Sequence, residues 1–287
     1  MAKLIYLTAL GRSGSTVFER YAAMNLDIFA LGEMTYAIER GIIENERCGC
    51  GVPFGECDFW KKFRELLERR FSAEEIRLLA IEQRRAESTL GFYLLRYKRV
   101  SSILDRYYQL QAEFIRSLPH EYAFDTSKRP VRPILLKRYL KQDEIQIVEL
   151  VREPAAVAYS WTKSKVRVES TTGASATMPA VGYYKSVARW INVAIVSSRI
   201  RKRIANTVLI KYEDFVMNPD SAIAVLKAKP SSKGVDSAER YHPVSGNPSR
   251  FEPMKISPDI RWVTEVSPIK KIVTNVLTAP FKLLYRV

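Results

Sequence analysis

A loop of glycine, arginine and hydroxyl residues near the N-terminus has the composition of a phosphate-binding site. The loop, Gly11-Arg12-Ser13-Gly14-Ser15-Thr16, follows an apolar run and precedes a helix-like stretch from Val17 to Leu26. Glycines let the backbone bend tightly, and the start of the helix directs N–H groups and the positive end of its dipole into the loop. The arginine and the hydroxyls add further donors. The sequence therefore predicts a strand, an anion-binding loop and a helix; the alternative is a turn that binds no ligand.

This loop differs from the ATP- and GTP-binding loop G-x-x-x-x-G-K-[ST]. With Gly14 as the second glycine, Ala9 stands where the first glycine belongs and Ser15 where the lysine belongs. That lysine contacts the terminal phosphates in nucleotide hydrolases. The substitution therefore argues against ATP as a phosphoryl donor.

A second strand–turn–helix segment carries a second anion-binding pair. Arg152 follows the apolar run from Ile145 to Val151, and Pro154 suits the first turn of a helix. Ser160 lies six residues beyond Pro154, about 9 Å along the helix axis at about 1.5 Å per residue. Ligands of open parallel sheets bind at the carboxyl ends of the strands, where both anchors would lie. Two such anchors predict a nucleotide that is phosphorylated at two positions.

The two segments resemble motifs of the PAPS-dependent sulfotransferases, PAPS being 3′-phosphoadenosine-5′-phosphosulfate. Residues 8–16 are similar to the family's loop for the 5′-phosphosulfate, and Arg152 to Ser160 to its R-x-P-x-x-x-x-x-S signature for the 3′-phosphate. Further similar segments are Gly32-Glu33-Met34, Asp125-Thr126-Ser127-Lys128, Lys211-Tyr212-Glu213-Asp214-Phe215 and residues 242–251. The resemblance covers about residues 4–251 and is to bacterial and carbohydrate-type members.

The resemblance implies a donor site, a catalytic group and an acceptor site, with PAPS as co-substrate and no metal. The implied donor-binding residues are Gly11, Arg12, Ser13, Gly14, Ser15, Thr16, Arg152, Ser160, Tyr212 and Arg250. Arg12 is also expected to stabilise the leaving bisphosphate. Glu33 is the first candidate for the general base, with a helix-terminal acid as the alternative, and Asp125 is the second. Glu33, Ser127 and Lys128 are expected to line the sulfuryl or acceptor site.

The distribution of apolar residues predicts an α/β fold. Continuous apolar runs, typical of strands buried on both faces of a parallel sheet, alternate with helical patterns. The runs are Lys3 to Ala9, Leu26 to Leu31, Tyr122 to Asp125, Ile145 to Val151 and Thr207 to Tyr212. We therefore expect one α/β domain over residues 1–287, with a central parallel sheet of about five strands and helices on both faces, and the resemblance implies that this is a three-layer, P-loop-like fold. A helical insertion over about 58–119 and a C-terminal helix over about 268–287 complete it. The polar stretch 164–182 is predicted to be a mobile loop that acts as a substrate lid, with plain disorder as the alternative.

The charge of the chain indicates an anionic partner. The sequence has 46 lysines and arginines and a net charge of +15. These residues are dispersed and match no nucleic-acid-binding motif, so an anionic donor and a hydroxyl-bearing acceptor, with carbohydrate as one candidate, are favoured over nucleic acid. No signal peptide and no apolar stretch of about 20 residues is evident, which predicts a cytoplasmic location. The apolar stripe that includes Ile269, Ile272 and Val276 is expected to pack on the core, with membrane-surface contact as the weaker alternative.

Three cysteines, Cys48, Cys50 and Cys57, lie in one short loop rich in glycine. A structural zinc site needs four ligands, and the histidines, His120 and His242, are distant in sequence. Reduced thiols are therefore favoured over a metal site or a disulfide. For the whole chain, two function classes remain beside sulfuryl transfer: a kinase-like nucleotide-dependent transferase and a non-enzymatic protein that binds anions or membrane surfaces.

Overall fold

Six parallel strands form the centre of the structure, a computed structural model that describes residues 1–167, 169–170, 177–178, 180–204, 206–231 and 240–285. The strands of this sheet are β1 (Lys3–Thr8), β2 (Ile28–Gly32), β3 (Tyr122–Lys128), β4 (Ile145–Val151), β7 (Thr207–Lys211) and β8 (Tyr241–Val244). Their order in the sheet is β7-β4-β1-β3-β2-β8. A separate antiparallel pair joins β5 (Lys165–Val166) to β6 (Thr177–Met178). Because the strands of the main sheet are parallel, their carboxyl ends meet at one edge.

Helices cover both faces of this sheet. They are α1 (Ser15–Asn25), α2 (Asp58–Arg70), α3 (Ala73–Glu87), α4 (Thr89–Tyr93), α5 (Ser102–Arg116), α6 (Arg132–Leu136), α7 (Pro154–Trp161), α8 (Tyr183–Arg201), α9 (Tyr212–Met217), α10 (Pro219–Ala224), α11 (Arg261–Glu265) and α12 (Pro268–Lys282). Short turns of other helix types include a π-helix over Ala37–Ile43 and a 3₁₀ turn over Pro248–Phe251. The predicted helical insertion corresponds to α2–α5.

The alternation of side chains along β1 explains the two hydrophobic cores. Leu4 and Tyr6 point into one core, which is built with the helical insertion and α6. Ile5 and Leu7 point into the other core, built with α1, α9 and α10. A strand with both faces buried is continuously apolar, and this confirms the predicted α/β class with a buried parallel sheet.

The sheet has one strand more than the sequence indicates. Strand β8 has four residues, includes Pro243, and pairs with β2 at the edge of the sheet. Proline cannot donate to a ladder and is tolerated mainly on edge strands. A strand this short with a proline in it lacks the apolar run that identified the other five.

The prediction that the apolar stripe of α12 packs on the core is wrong. Ile269, Ile272 and Val276 are exposed, and the buried positions of this helix are Thr274 and Thr278. Each threonine hydroxyl donates to the carbonyl four residues earlier, at 2.7 Å and 2.8 Å. These internal hydrogen bonds let small polar side chains face the body of the protein. In the part of the chain that the structure describes, no helix has the length and apolar character that crossing a bilayer requires.

The predicted lid over 164–182 falls partly outside the described residues, which omit 168, 171–176 and 179. Its described part contains the β5–β6 pair. Met178 of β6 contacts Arg12, whose Nη2 lies 3.5 Å from the methionine sulfur.

A buried carboxylic acid ties α1 to the carboxyl ends of two strands. Glu19 accepts hydrogen bonds from the Gly32 N–H at 2.7 Å and from the Thr126 hydroxyl at 3.0 Å. Burial raises the pKa of Glu19 to about 8. The folded state therefore holds a proton that the unfolded chain releases near its ordinary pKa of about 4.3.

We expect Glu19→Gln to flatten the pH dependence of stability. Between about pH 5 and pH 8 the native state binds more protons at this site than the unfolded state, so the free energy of unfolding falls as pH rises, by up to about 1.4 kcal/mol per pH unit. Glutamine imitates the protonated acid and removes this contribution. Urea denaturation across that pH range should show a steeper loss in the parent protein than in the variant; parallel curves would contradict the assignment.

Candidate active site

The glycine-rich loop lies between the carboxyl end of β1 and the start of α1. Arg12 and Gly14 adopt left-handed backbone conformations, with φ of 73° and 87°. Gly14 caps α1, and a Cβ at this position would lie 2.3 Å from the Tyr212 ring. Glycine is therefore required at position 14, where the loop turns into the first turn of α1, and the start of a helix is a favourable site for an anion.

One wall of the loop is Trp161, at the end of α7. Its Nε1 donates to the Gly11 carbonyl at 2.9 Å, and the Arg12 guanidinium lies 5.4 Å from the centre of its ring. Trp161 directly follows Ser160 of the second motif, and it therefore holds the glycine loop against α7. Trp190 is buried and donates to the Arg152 carbonyl at 3.1 Å.

The two sequence-predicted anion anchors adjoin each other. Arg152 donates from Nη1 to the Arg12 carbonyl at 3.1 Å, and its guanidinium lies 4.4 Å from the centre of the Tyr212 ring. Its Nη2 lies 3.5 Å from Asp259 Oδ2. Ser160 is in the last turn of α7 and is half-buried. Tyr212 thus packs against both Gly14 and Arg152, where the two anchors meet.

A third arginine, Arg250, lies in the segment that follows β8. Arg250 is buried and donates from Nη2 to the Arg47 carbonyl at 3.0 Å. The same segment contacts α1, because the Asn247 N–H donates to the Thr16 hydroxyl at 3.4 Å. Arg250 and the loop are therefore held on the same side of the sheet.

These three arginines carry buried N–H groups without a partner. The atoms are Arg12 Nη1, Arg152 Nε, and Arg250 Nε and Nη1. Burial lowers the pKa of both the Arg12 and the Arg250 guanidinium groups. A buried, unpaired charged donor costs free energy, which a bound anion would recover. The arrangement is that of an anion-binding site.

Opposite the loop, Glu33 and Lys128 form a half-buried ion pair. Lys128 Nζ lies 2.5 Å from Glu33 Oε1, and their side chains are 14% and 13% exposed. Glu33 directly follows β2, while Lys128 ends β3 with a φ of 63°. A positive φ in a lysine is a strained conformation of the kind that concentrates at functional sites.

A cleft of about 620 Å³ joins these parts. It is lined by Gly11, Arg12, Gly14, Ser15, Thr16, Glu33, Ser127 and Lys128, among other residues. Ser13 and Arg250 are buried, and they are absent from the lining, as are Arg152, Ser160 and Tyr212. The structure therefore places eight of the predicted site residues in the lining of one cleft, while Arg152 and Tyr212 contact the glycine loop.

Asp125 belongs instead to a buried ionic network. Its Oδ2 accepts from Arg132 Nε at 2.9 Å, and Arg132 Nη1 lies 2.6 Å from Glu87 Oε1. Burial raises the pKa of Asp125, and the charge of Arg132 opposes that rise. The side chain of Asp125 is 1% exposed and is absent from the lining of the cleft. This placement suits a structural acid that holds β3 to α6.

Other lining residues were not singled out from the sequence. They are chiefly Tyr36, Arg40, Arg129, Arg189 and Asn192. Arg129 donates to the Tyr36 hydroxyl at 3.1 Å, and the Arg40 guanidinium lies 4.1 Å from the centre of the same ring. Of these five residues, the sequence could have indicated Arg129 as a site residue, because it directly follows the Asp-Thr-Ser-Lys segment at the end of a strand.

No protein-family model matches this chain, and no curated protein matches its sequence. It is similar in structure to a sulfotransferase domain from the curacin biosynthetic pathway, with 16% identity, a TM-score of 0.49 and 97% of each chain covered. It is also similar to a sulfotransferase from Alicyclobacillus acidocaldarius, with 13% identity, a TM-score of 0.46, and coverage of 99% of this chain and 94% of that one. A third similar structure is retinol dehydratase in complex with androsterone and the inactive cofactor PAP, with 12% identity, a TM-score of 0.39, and coverage of 97% and 80%.

We expect Gly14→Ala to destabilise the protein more than Gly51→Ala does. Both glycines have a positive φ, of 87° and 97°, but a Cβ at Gly51 would meet nothing within 4 Å. The left-handed backbone costs each variant roughly 1–2 kcal/mol, and Gly14→Ala adds the collision with Tyr212. Urea denaturation of the two variants measures the difference; equal losses would show that Tyr212 does not constrain the loop.

Proposed function

We propose that this protein transfers a sulfuryl group from PAPS to an acceptor hydroxyl. The observation that carries the proposal is the contact between the two anion anchors, Arg152 Nη1 on the Arg12 carbonyl, among buried guanidinium nitrogens that lack partners. A nucleotide with a 5′-phosphosulfate and a 3′-phosphate offers two anionic groups to two adjoining anchors. The motif resemblance supports the same donor.

In this proposal the glycine loop binds the 5′-phosphosulfate. Arg12 and the N–H groups at the start of α1 contact the anion, and the always-charged guanidinium stabilises the negative charge that develops on the leaving phosphate. Arg152 and Ser160 bind the 3′-phosphate, and Arg250 adds positive charge next to Thr16. Tyr212 holds Arg152 and the loop in position, and it is also a candidate for contact with the adenine.

Glu33 is the proposed general base. It takes the proton of the acceptor hydroxyl as the acceptor oxygen forms a bond to sulfur, and the electron pair of the breaking S–O bond leaves on the phosphate oxygen. The products are a sulfate ester and adenosine 3′,5′-bisphosphate. Lys128, on the other side of the ion pair, orients the carboxylate and is placed to neutralise the sulfuryl oxygens, with Ser127 beside it. Glu33 is preferred to Asp125 as the base, because Asp125 is buried in an ion pair with Arg132.

The lining of the cleft favours a polar or acidic acceptor. Arg40, Arg129 and Arg189 line it together with Tyr36 and Asn192, so hydroxyl groups and negative charge on the acceptor would find donors there. A carbohydrate is one acceptor class with this chemistry. The proposal requires no metal ion.

We expect Arg152→Ala to weaken the binding of 3′-phosphoadenosine-5′-phosphate by about 10- to 100-fold, because a hydrogen bond to a charged group contributes about 1.5–3 kcal/mol. Arg77→Ala, which changes an exposed arginine of α3, is the matched control and should leave the affinity unchanged. Titration calorimetry without Mg²⁺ measures both. Stronger binding of ATP with Mg²⁺ than of the bisphosphate would favour a kinase-like function instead.

We expect Glu33→Gln to bind the bisphosphate normally and to lose turnover by about 100-fold or more, the usual contribution of a general base. Glu39→Gln is the control, because Glu39 pairs with Arg84 outside the lining of the cleft. Turnover is measured with isotopically labelled PAPS against a panel of glycans, lipids and phenols. Full activity in Glu33→Gln would assign the base to another group.

A further inference from the structure

The cysteine loop and the edge strand β8 bring four metal-ligating side chains to one point. Cys48, Cys50, Cys57 and His242 each offer one donor atom, and these atoms lie within 4.8 Å of one another. Cys57 Sγ is 3.3 Å from His242 Nδ1, 3.6 Å from Cys50 Sγ and 3.8 Å from Cys48 Sγ. Cys48 Sγ is 3.7 Å from the same ring nitrogen. None of these four residues lines the cleft, and none of them takes part in the chemical step of the proposed transfer.

We propose that these four residues bind a structural zinc ion as a Cys₃His site. Zn–S bonds of about 2.3 Å and Zn–N bonds of about 2.0–2.1 Å in a tetrahedron separate two sulfurs by about 3.8 Å, and a sulfur from a nitrogen by about 3.5 Å. Four of the six distances between the ligand atoms match these edges within a few tenths of an ångström, and the other two are no longer than 4.8 Å. Sulfur-rich tetrahedral sites with one imidazole select zinc among the common divalent ions.

Backbone contacts hold the ligands in place. The Cys48 N–H donates to the Val52 carbonyl at 2.8 Å, and the Gly51 N–H donates back to the Cys48 carbonyl at 2.9 Å. Gly51 closes this turn with a φ of 97°. Cys48 and Cys50 therefore project from one tight turn, and Cys57 precedes the first residue of α2.

His242 is positioned from the other side. Trp60 of α2 donates from Nε1 to the His242 carbonyl at 3.1 Å, and the imidazole stacks on Phe59 at 4.9 Å between ring centres. The Gly49 N–H donates to the Pro243 carbonyl at 3.0 Å. A Cβ on Gly49 would lie 2.3 Å from Pro243, so the loop and the strand approach as closely as glycine allows. The imidazole Nδ1 is fixed toward the three sulfurs.

A metal accounts for all four side chains, whereas a disulfide would use two sulfurs and leave a third thiol and the imidazole without a role. Zinc binding requires no oxidant, because each coordinating thiol releases its proton and forms a Zn–S bond. Cys48 and Cys57 are buried, and Cys50 is exposed. The exposed side gives the ion a path of entry.

The ion would fasten the loop to β8 and, through it, to the segment that carries Arg250. Arg47, next to Cys48, accepts the hydrogen bond from Arg250 Nη2 at 3.0 Å. Removing the ion should therefore loosen Arg250. An effect of metal removal on donor affinity, through Arg250, rests on the proposed function. The presence of the metal itself does not.

The test is the metal content of the protein purified without chelators, measured by plasma mass spectrometry. We expect one zinc per chain, at least a tenfold loss of zinc in Cys57→Ser and in His242→Ala, and retained zinc in His242→Cys, which restores a fourth ligand. His120→Ala is the matched control, because His120 contacts Asp27 outside the cluster, and it should keep its zinc.

Cobalt provides a readout that does not depend on the folding of variants. The parent protein, stripped with a chelator under reducing conditions and given Co²⁺, should show thiolate-to-metal charge transfer and the intense visible bands of tetrahedral cobalt. A purified chain without zinc that also lacks these bands would overturn the proposal. So would undiminished zinc in both Cys57→Ser and His242→Ala. Either result would leave the sulfuryl-transfer proposal untouched.

Discussion

Buried guanidinium N–H groups that no protein atom accepts are the feature on which the proposed site depends. Arg152 and Arg250 are buried and Arg12 is half-buried, and each keeps at least one buried N–H without a partner. Such groups cost free energy in the folded state unless an anion occupies the site. The two hydrophobic cores stabilise the folded state enough to offset this cost.

Arg132 is a buried arginine outside the proposed anion site, and it offers a comparison within the same protein. Arg132 is fully buried but contacts Asp125, Glu87 and Gln111, so its charge is compensated by side chains. Arg132 belongs to α6, whereas the other three arginines lie in turns and loops, and the two kinds of arginine differ in their partners. This contrast, rather than the number of basic residues, separates the anion site from the scaffold, and it also explains why Asp125 is placed with the scaffold.

Much of the fold and of the candidate site could be predicted from the sequence, because the segments that form them are continuous along the chain. The apolar runs of five strands, the glycine loop and the Arg152 segment are each contiguous, and parallel pairing brings their ends to one edge. Strand β8 has no recognisable apolar run, because its four residues include a proline. The sequence does not identify His242 as a ligand, because it is far from the cysteines along the chain and only the fold brings it next to them. The apolar stripe does not mark the buried face of α12, because Thr274 and Thr278 face the protein with their hydroxyls hydrogen-bonded within the helix.

The central claim is that one nucleotide spans both anchors, and its most direct test compares three ligands by titration calorimetry. If Arg12 and Arg152 bind opposite ends of one molecule, 3′-phosphoadenosine-5′-phosphate should bind at least about 100-fold more tightly than either adenosine 3′-monophosphate or adenosine 5′-monophosphate, since each lost phosphate removes charged hydrogen bonds of about 1.5–3 kcal/mol. Equal affinities for the bisphosphate and one monophosphate would mean that a single anchor binds the ligand, which would contradict the account.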